Sequence, residues 1–145
     1  MPLTNFGAIL NFAEKVEQDD MDFYRKASSA AAAEPHRLLF ERLAGEGRKN
    51  LALVQRTRRE NVTEMILEPI RDFVRDSYQQ SAADAQGMDL PAILAAAVAL
   101  ESRAIRYYTD AAEKIRALPE VSRALKTLAK KRTQRLGQIE NLSDQ

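Results

Sequence analysis

Two stretches decide the fold of this chain: residues 8–35 read AILNFAEKVEQDDMDFYRKASSAAAAEP, and residues 92–119 read AILAAAVALESRAIRYYTDAAEKIRALP. The second stretch follows the first by 84 residues, and nine of the 28 aligned positions are identical. Alanine matches carry little weight in an alanine-rich chain, so the informative identities are Glu17 with Glu101, Tyr24 with Tyr108, and Pro35 with Pro119. Each copy has the pattern of a long helix, a proline and a second helix. We therefore predict a duplicated helical hairpin, and two hairpins form a four-helix bundle.

The composition fits a single all-α domain. The chain has 145 residues, of which five are glycine, five are proline and 30% are charged. Because cysteine is absent, disulfides, thiolate metal sites and cysteine nucleophiles are excluded, and a cytoplasmic location is expected. The net charge of +1 offers no overall attraction for nucleic acid, and no apolar run reaches the length of about 20 residues that a membrane span needs. We expect neither nucleic acid nor membrane as a partner.

The whole chain, residues 1–145, is predicted to be one domain with three parts. Hairpin A covers about residues 4–61, a long crossover about residues 62–88, and hairpin B about residues 89–142. The proline of each hairpin suits the first turn of the second helix. The crossover contains enough apolar residues for a short helix and is long enough to return to the other end of the bundle. Such a crossover distinguishes a ferritin-like bundle from one with only short turns.

Polar residues interrupt the apolar stripes of the long helices at mid-length. Glu17 lies within the stripe of the first helix and Glu101 within that of the third, at the spacing of one helix face. Asp20 follows Glu17 by one turn, and we interpret it as a polar residue at the edge of the helix. On the fourth helix, Arg132 and Arg135 stand where apolar residues would continue the stripe. The sequence thus predicts charges of both signs inside the bundle.

These residues resemble the rubrerythrin-like branch of the ferritin-like superfamily. The family pattern is a glutamate followed seven residues later by an aromatic residue on the first and third helices, with Leu-Ala-x-x-Glu-x-x-His on the second and fourth. The matching residues are Glu17 with Tyr24, Glu101 with Tyr108, Leu43-Ala44 and Leu128-Ala129. The resemblance covers all of the chain except the crossover. It implies a ferritin-like fold that holds two iron ions at mid-bundle and reduces peroxide or oxidises iron.

The chain departs from this family at the metal ligands of the second and fourth helices. A di-iron site needs about four carboxylates and two imidazoles, with glutamate and histidine three residues apart on one helix. Counted from the Leu-Ala pairs, these ligand positions hold Gly47, Asn50, Arg132 and Arg135. A shift of one residue on the second helix would offer Glu46 with Lys49, still without an imidazole. The one histidine of the chain, His36, is predicted to lie at the end of the bundle.

We interpret the central residues as a former metal site in which arginine has replaced the ions. A buried carboxylate without a counter-charge is costly, and a guanidinium can bind a carboxylate at two points. Arg132, with Arg135 as a second candidate, is therefore predicted to pair with the two central glutamates. The predicted central polar cluster comprises Glu17, Tyr24, Asn50, Glu101, Tyr108, Arg132 and Arg135. If a metal is bound instead, the candidate ligands are Glu17, Asp20, Glu46 and Glu101.

The leading functional interpretation is a bundle without metal, cofactor or catalytic residues that serves as a binding or structural module. By resemblance to relatives that pair through helix faces, a homodimer is expected. The alternative is a divergent di-iron or single-metal oxidoreductase with iron as its cofactor. A third interpretation is anion binding by the basic fourth helix, through residues such as Lys130 and Lys131. A solvated or paired basic face would explain the same charges, and the identity of a protein partner stays open.

Overall fold

The computed structural model describes residues 6–30, 35–60, 73, 77–79 and 85–143, and these residues form four α-helices. The helices are α1 (Phe6–Ser29), α2 (Arg37–Glu60), α3 (Leu90–Lys114) and α4 (Pro119–Ser143), and a short 3-10 helix, Ala85–Gly87, precedes α3. No strand occurs in this part of the chain, which confirms the predicted all-α class. Within the same residues, no helix combines the length and apolar character that crossing a membrane requires.

An N-cap residue and two prolines explain where α3 and α4 begin. Asp89 is the N-cap of α3, and its carboxylate accepts a hydrogen bond from the Ala92 N–H at 2.9 Å. Pro91 lies in the first turn of α3, where its missing N–H removes no helical hydrogen bond, and Pro119 is the first residue of α4. Most of the crossover, including its expected short helix, lies outside the described residues.

The helices pack as two antiparallel pairs, α1 against α2 and α3 against α4. α1 and α3 face each other and run in opposite directions, because Tyr24 meets Glu101 whereas Glu17 meets Tyr108. Only seven residues separate the end of α1 from the start of α2, so α2 ends beside the start of α1. The start of α3 lies at the other end of the bundle. The chain between α2 and α3 therefore joins opposite ends of the bundle.

A layer of polar side chains at mid-height divides the apolar core into two clusters. Along α1, Val16 belongs to one cluster and Phe23 to the other, and the buried Glu17 and Asp20 lie between them. Each of the other helices also contributes buried residues between the two clusters: Gly47 and Asn50 on α2, Glu101 and Arg103 on α3, and Arg132 and Arg135 on α4. All four helices thus contribute to the layer, which we call the polar layer.

Two described residues of the crossover attach it to α3. The ring centroids of Phe73 and Tyr78 lie 5.6 Å and 5.2 Å from that of Tyr107. The Tyr78 hydroxyl donates a hydrogen bond to Asp110 Oδ2 at 2.5 Å, and the Tyr78 carbonyl accepts one from Arg103 Nη1 at 3.3 Å. These contacts hold this part of the crossover beside the middle of α3, next to the polar layer.

Gly47 lies where α1 and α2 pack closely. A Cβ atom at this position would be 3.1 Å from the Cβ of Met21 on α1, which is shorter than the optimal carbon–carbon distance of about 3.5 to 4.0 Å. Gly45 is exposed, and apart from its chain neighbours and the adjacent backbone of α2, no heavy atom of the described residues lies within 4 Å of where its Cβ would be. A glutamate at position 47, which the rubrerythrin-like pattern expects, would therefore require α1 or Met21 to shift.

Candidate functional site

Arg132 occupies the centre of the polar layer, and its side chain is fully buried. Its Nη1 lies 2.9 Å from Glu101 Oε1 and its Nη2 lies 2.9 Å from Glu17 Oε2, so one guanidinium joins α1, α3 and α4. Nη2 also lies 2.9 Å from Asp20 Oδ2, at ion-pair distance but without the alignment of a hydrogen bond. The contacts with the two glutamates are those expected from the sequence.

Two tyrosines also donate hydrogen bonds to the glutamates. Tyr24 on α1 donates a hydrogen bond to Glu101 Oε2 at 2.5 Å, and Tyr108 on α3 donates one to Glu17 Oε2. In each helix the tyrosine follows the glutamate by seven residues, which returns it to the same face after two turns. Because the helices are antiparallel, each tyrosine reaches the glutamate of the opposite helix. The two contacts are reciprocal.

Asp20 is buried rather than placed at a helix edge, so its interpretation from the sequence was wrong. Its side chain is 2% exposed, and its Oδ1 accepts a hydrogen bond from Arg103 Nη2 at 2.6 Å. Burial raises the pKa of Asp20 from 3.8 to about 7, because desolvation of the carboxylate outweighs the attraction of Arg132 and Arg103. At neutral pH this carboxyl group is therefore partly protonated.

Arg135, one turn after Arg132 on α4, extends the polar layer towards α2. Its Nε donates a hydrogen bond to Glu46 Oε2 at 3.1 Å, and its Nη1 lies 3.8 Å from Glu101 Oε2. Direct polar contacts thus join six of the seven residues of the predicted central polar cluster. The seventh, Asn50, is buried but lies beside Arg135 in the wall of a cavity.

The surroundings of Arg132 keep it charged. Burial by itself lowers the pKa of a guanidinium, but the three carboxylates around Arg132 outweigh burial and hold its pKa well above the usual value. Burial also raises the pKa of Tyr24 and Tyr108 well above their usual value, and the adjacent glutamates add to the rise. Both tyrosines therefore stay protonated and act as hydrogen-bond donors.

The central residues do not fit the two-iron site that the resemblance implies. Three of the four candidate ligands, Glu17, Asp20 and Glu101, direct oxygen atoms at Arg132, which has only donor groups and cannot coordinate a cation. The fourth candidate, Glu46, contacts a different arginine, and its side chain is 40% exposed. Across the described ranges, no group of three or more His, Cys, Asp or Glu side chains is arranged to hold a metal ion.

A cavity of about 270 Å³ lies between α2 and α4, beside the polar layer. Its wall includes Asn50 and Arg135 together with Glu46, Lys49 and Lys131. Because Arg135 also approaches Glu101, the cavity and the polar layer share a side chain. We call this space the α2–α4 cavity.

Arg103 belongs to the polar layer although we did not select it from the sequence. It is 9% exposed and connects Asp20 with the carbonyl of Tyr78 in the crossover. The sequence does contain a signal for the burial of Arg103. This residue lies three residues after Leu100 and four before Tyr107, which is the spacing of one buried helix face. A charged residue on such a stripe is easily assigned to its solvent-exposed edge.

Comparisons of this chain with models of protein families, with curated proteins and with solved structures found no match. The candidate function therefore follows from the residues and contacts described above.

Proposed function

We propose that this protein is a metal-free binding or structural module built on a ferritin-like bundle of the rubrerythrin-like type. The observation that carries the proposal is the fully buried guanidinium of Arg132, which lies 2.9 Å from a carboxylate oxygen of both Glu17 and Glu101. In the family pattern these two glutamates belong to the ligands of the iron ions. A guanidinium supplies the positive charge that the carboxylates require, but it offers no redox chemistry.

The order and direction of the helices support the ferritin-like assignment. α1 and α3 are antiparallel, and the chain between α2 and α3 joins opposite ends of the bundle, as a long crossover does. The reciprocal contacts of Tyr24 with Glu101 and Tyr108 with Glu17 are those expected from two copies of one hairpin related by an approximate twofold axis. They support the proposed duplication.

The charge balance explains how the bundle would survive the loss of metal. Removing one partner of a buried ion pair costs about 3 to 5 kcal/mol, so two central glutamates without a counter-charge would destabilise the fold. Arg132 offsets this cost, and the pair of Arg103 Nη2 with Asp20 Oδ1 at 2.6 Å adds a second buried contact of opposite charges. The polar layer then serves as a structural element.

Metal analysis of protein produced in iron-rich medium tests the proposal. We expect far less than one iron per chain, and no peroxide turnover above that of an unrelated helical protein. Stoichiometric iron, or peroxide turnover that Glu101→Ala abolishes, would overturn the proposal. Glu140→Ala, which changes an exposed carboxylate on α4, is the matched control for loss of a negative charge.

A divergent metal-binding oxidoreductase is the second candidate, and one observation favours it. Oε1 of Glu17 is buried and has no hydrogen-bond partner among the described residues, so a carboxylate oxygen at the centre is available. The ligands would be Glu17, Asp20, Glu46 and Glu101, and the electrons would come from a separate donor. Electron density for iron between the two central glutamates, with Arg132 turned away, would establish this candidate and exclude the first.

Homodimer formation and a cytoplasmic location stay predictions from the sequence. Light scattering of the purified chain across a range of concentrations tests the first, with twice the chain mass as the expected result. Fractionation of producing cells tests the second.

A further inference from the structure

Two residues that line the α2–α4 cavity carry buried hydrogen-bond donors without a partner in the described part of the chain. Nδ2 of Asn50 and Nη2 of Arg135 are both buried, and neither has an acceptor among the residues that the structure describes. The side chains of Asn50 and Arg135 are only 1% and 3% exposed, and both line the cavity. Since nearly all buried polar groups in proteins have a partner, two unpartnered donors at one cavity indicate a ligand with acceptor atoms.

The charges around the cavity indicate the sign of that ligand. Four charged residues line it, Glu46, Lys49, Lys131 and Arg135, and the Nε of Arg135 already donates to Glu46. Lys49 and Lys131 have no carboxylate partner within the described ranges, so two positive charges remain. A ligand with two negative charges would neutralise them.

The donor types indicate the chemistry of the ligand. A guanidinium, an amide and two ammonium groups together present donors from several directions, which suits a compact group with several acceptor oxygens. Phosphate groups match this arrangement, and arginine and lysine are their usual partners. The volume of about 270 Å³ lies just below the range of about 300 to 1,000 Å³ that is typical of ligand pockets, so the ligand is small.

We infer that the α2–α4 cavity binds a small phosphate-bearing anion through four residues that line it, Asn50, Arg135, Lys49 and Lys131. The inference rests on the proposed function and deepens it, because it names a ligand class for the binding module. It also differs from binding by the basic face of α4 as a whole, since Lys130 is exposed and does not line this cavity.

Calorimetric titration of the full chain with inorganic phosphate and with glycerol phosphate tests the inference. We expect saturable binding of one anion per chain, measured against sodium chloride at equal ionic strength, and no binding of glycerol. Lys131→Gln and Lys49→Gln should each weaken binding at least tenfold. Lys130→Gln removes the same charge from the neighbouring position outside the cavity and should change the affinity less than twofold. Circular dichroism and thermal melting of each variant establish that it is folded.

Three outcomes would overturn the inference. The first is the absence of saturable binding for either phosphate probe. The second is an equal loss of affinity in Lys130→Gln and Lys131→Gln, which would mean diffuse attraction by the basic helix face. The third is tighter binding of succinate than of both phosphate probes, which would mean a dicarboxylate site. None of these outcomes alters the iron content, so failure of this inference is distinguishable from failure of the proposed function.

Discussion

Tyr24 on α1 donates a 2.5 Å hydrogen bond to Glu101 on α3. Tyr108 on α3 donates the reciprocal bond to Glu17 on α1, and Arg132 on α4 lies between the two glutamates. Each of the two carboxylates thus accepts hydrogen bonds from side chains of two other helices. This arrangement makes the stability of the bundle depend on a few buried polar contacts.

Replacing either tyrosine of the reciprocal pair with phenylalanine should destabilise the fold. Tyr24→Phe and Tyr108→Phe keep the ring but remove a hydrogen bond to a buried carboxylate, which we expect to cost about 1.5 to 3 kcal/mol each. Urea unfolding measures the loss. Tyr78→Phe, which removes the partly buried bond to Asp110, is the comparison and should cost less. Equal losses in all three variants would show that burial of the carboxylate does not matter.

Replacing Arg132 with methionine should be among the most destabilising single changes in the chain. The variant leaves Glu17 and Glu101 buried without their counter-charge, and the expected loss is about 3 to 5 kcal/mol. The apolar methionine side chain supplies no positive charge to replace the guanidinium.

Lys130→Met is the control for Arg132→Met. It replaces an exposed cation on the same helix with the same side chain, and we expect a change within about 0.5 kcal/mol. Unfolding curves in urea at pH 5 and pH 8 compare the two variants. Unchanged stability of Arg132→Met at both pH values would contradict the role assigned to this ion pair.

Asp20 should make the stability of the protein depend on pH near neutrality. Its pKa is about 7 in the folded chain and 3.8 in the reference state, so the folded state holds the proton more tightly. The stabilisation that this proton provides is complete below about pH 4 and is lost as the pH rises through 7. Asp20→Asn has no proton to lose, so its stability relative to the parent should rise by up to about 4 kcal/mol between pH 4 and pH 8.

The difference in unfolding free energy between Asp20→Asn and the parent chain, measured at several pH values, checks this sign. Asp19→Asn changes the exposed neighbour, and its difference curve should stay flat over the same range. A flat curve for Asp20→Asn as well would mean that Asp20 titrates at its ordinary value. A curve with the opposite slope would mean that its arginine partners lower its pKa.

The two glycines within α2 should respond differently to alanine. Gly45→Ala places a methyl group in open space and should stabilise the fold by about 0.5 to 1 kcal/mol, because glycine is a poor helix former. Gly47→Ala gains the same helix propensity, but its Cβ would lie 3.1 Å from the Met21 Cβ. We expect Gly47→Ala to be no more stable than the parent chain in thermal melting. A gain at position 47 equal to that at position 45 would show that α1 moves away without cost.

The helices could be predicted from the amino-acid pattern alone, because helix formation depends mainly on residues that are close together in the chain. The period of the apolar residues predicted the all-α class, and Pro119 predicted where α4 begins. Spacing of seven residues also placed Tyr24 on the same face as Glu17. These properties belong to one helix at a time and need no knowledge of its neighbours.

The charged centre could be predicted only in part. Pairing of Arg132 with Glu17 and Glu101 followed from their positions at mid-length and from the family pattern. Burial of Asp20 could not be predicted in this way, because its partner Arg103 lies 83 residues away in the chain and approaches it from α3. A single sequence shows that a charge lies near the edge of a stripe, but the packed neighbour decides whether that edge is covered.

Two features could be seen only once the helices were packed: the close contact of Gly47 with Met21, and the α2–α4 cavity, where Asn50 and Arg135 carry donors without a partner among the described residues. Both features depend on the distance and rotation between helices, which result from packing across the whole bundle. The period of the apolar residues along a helix indicates which face turns inward. How close the next helix comes, and whether a space is left between them, depends on side chains that are far apart in the chain.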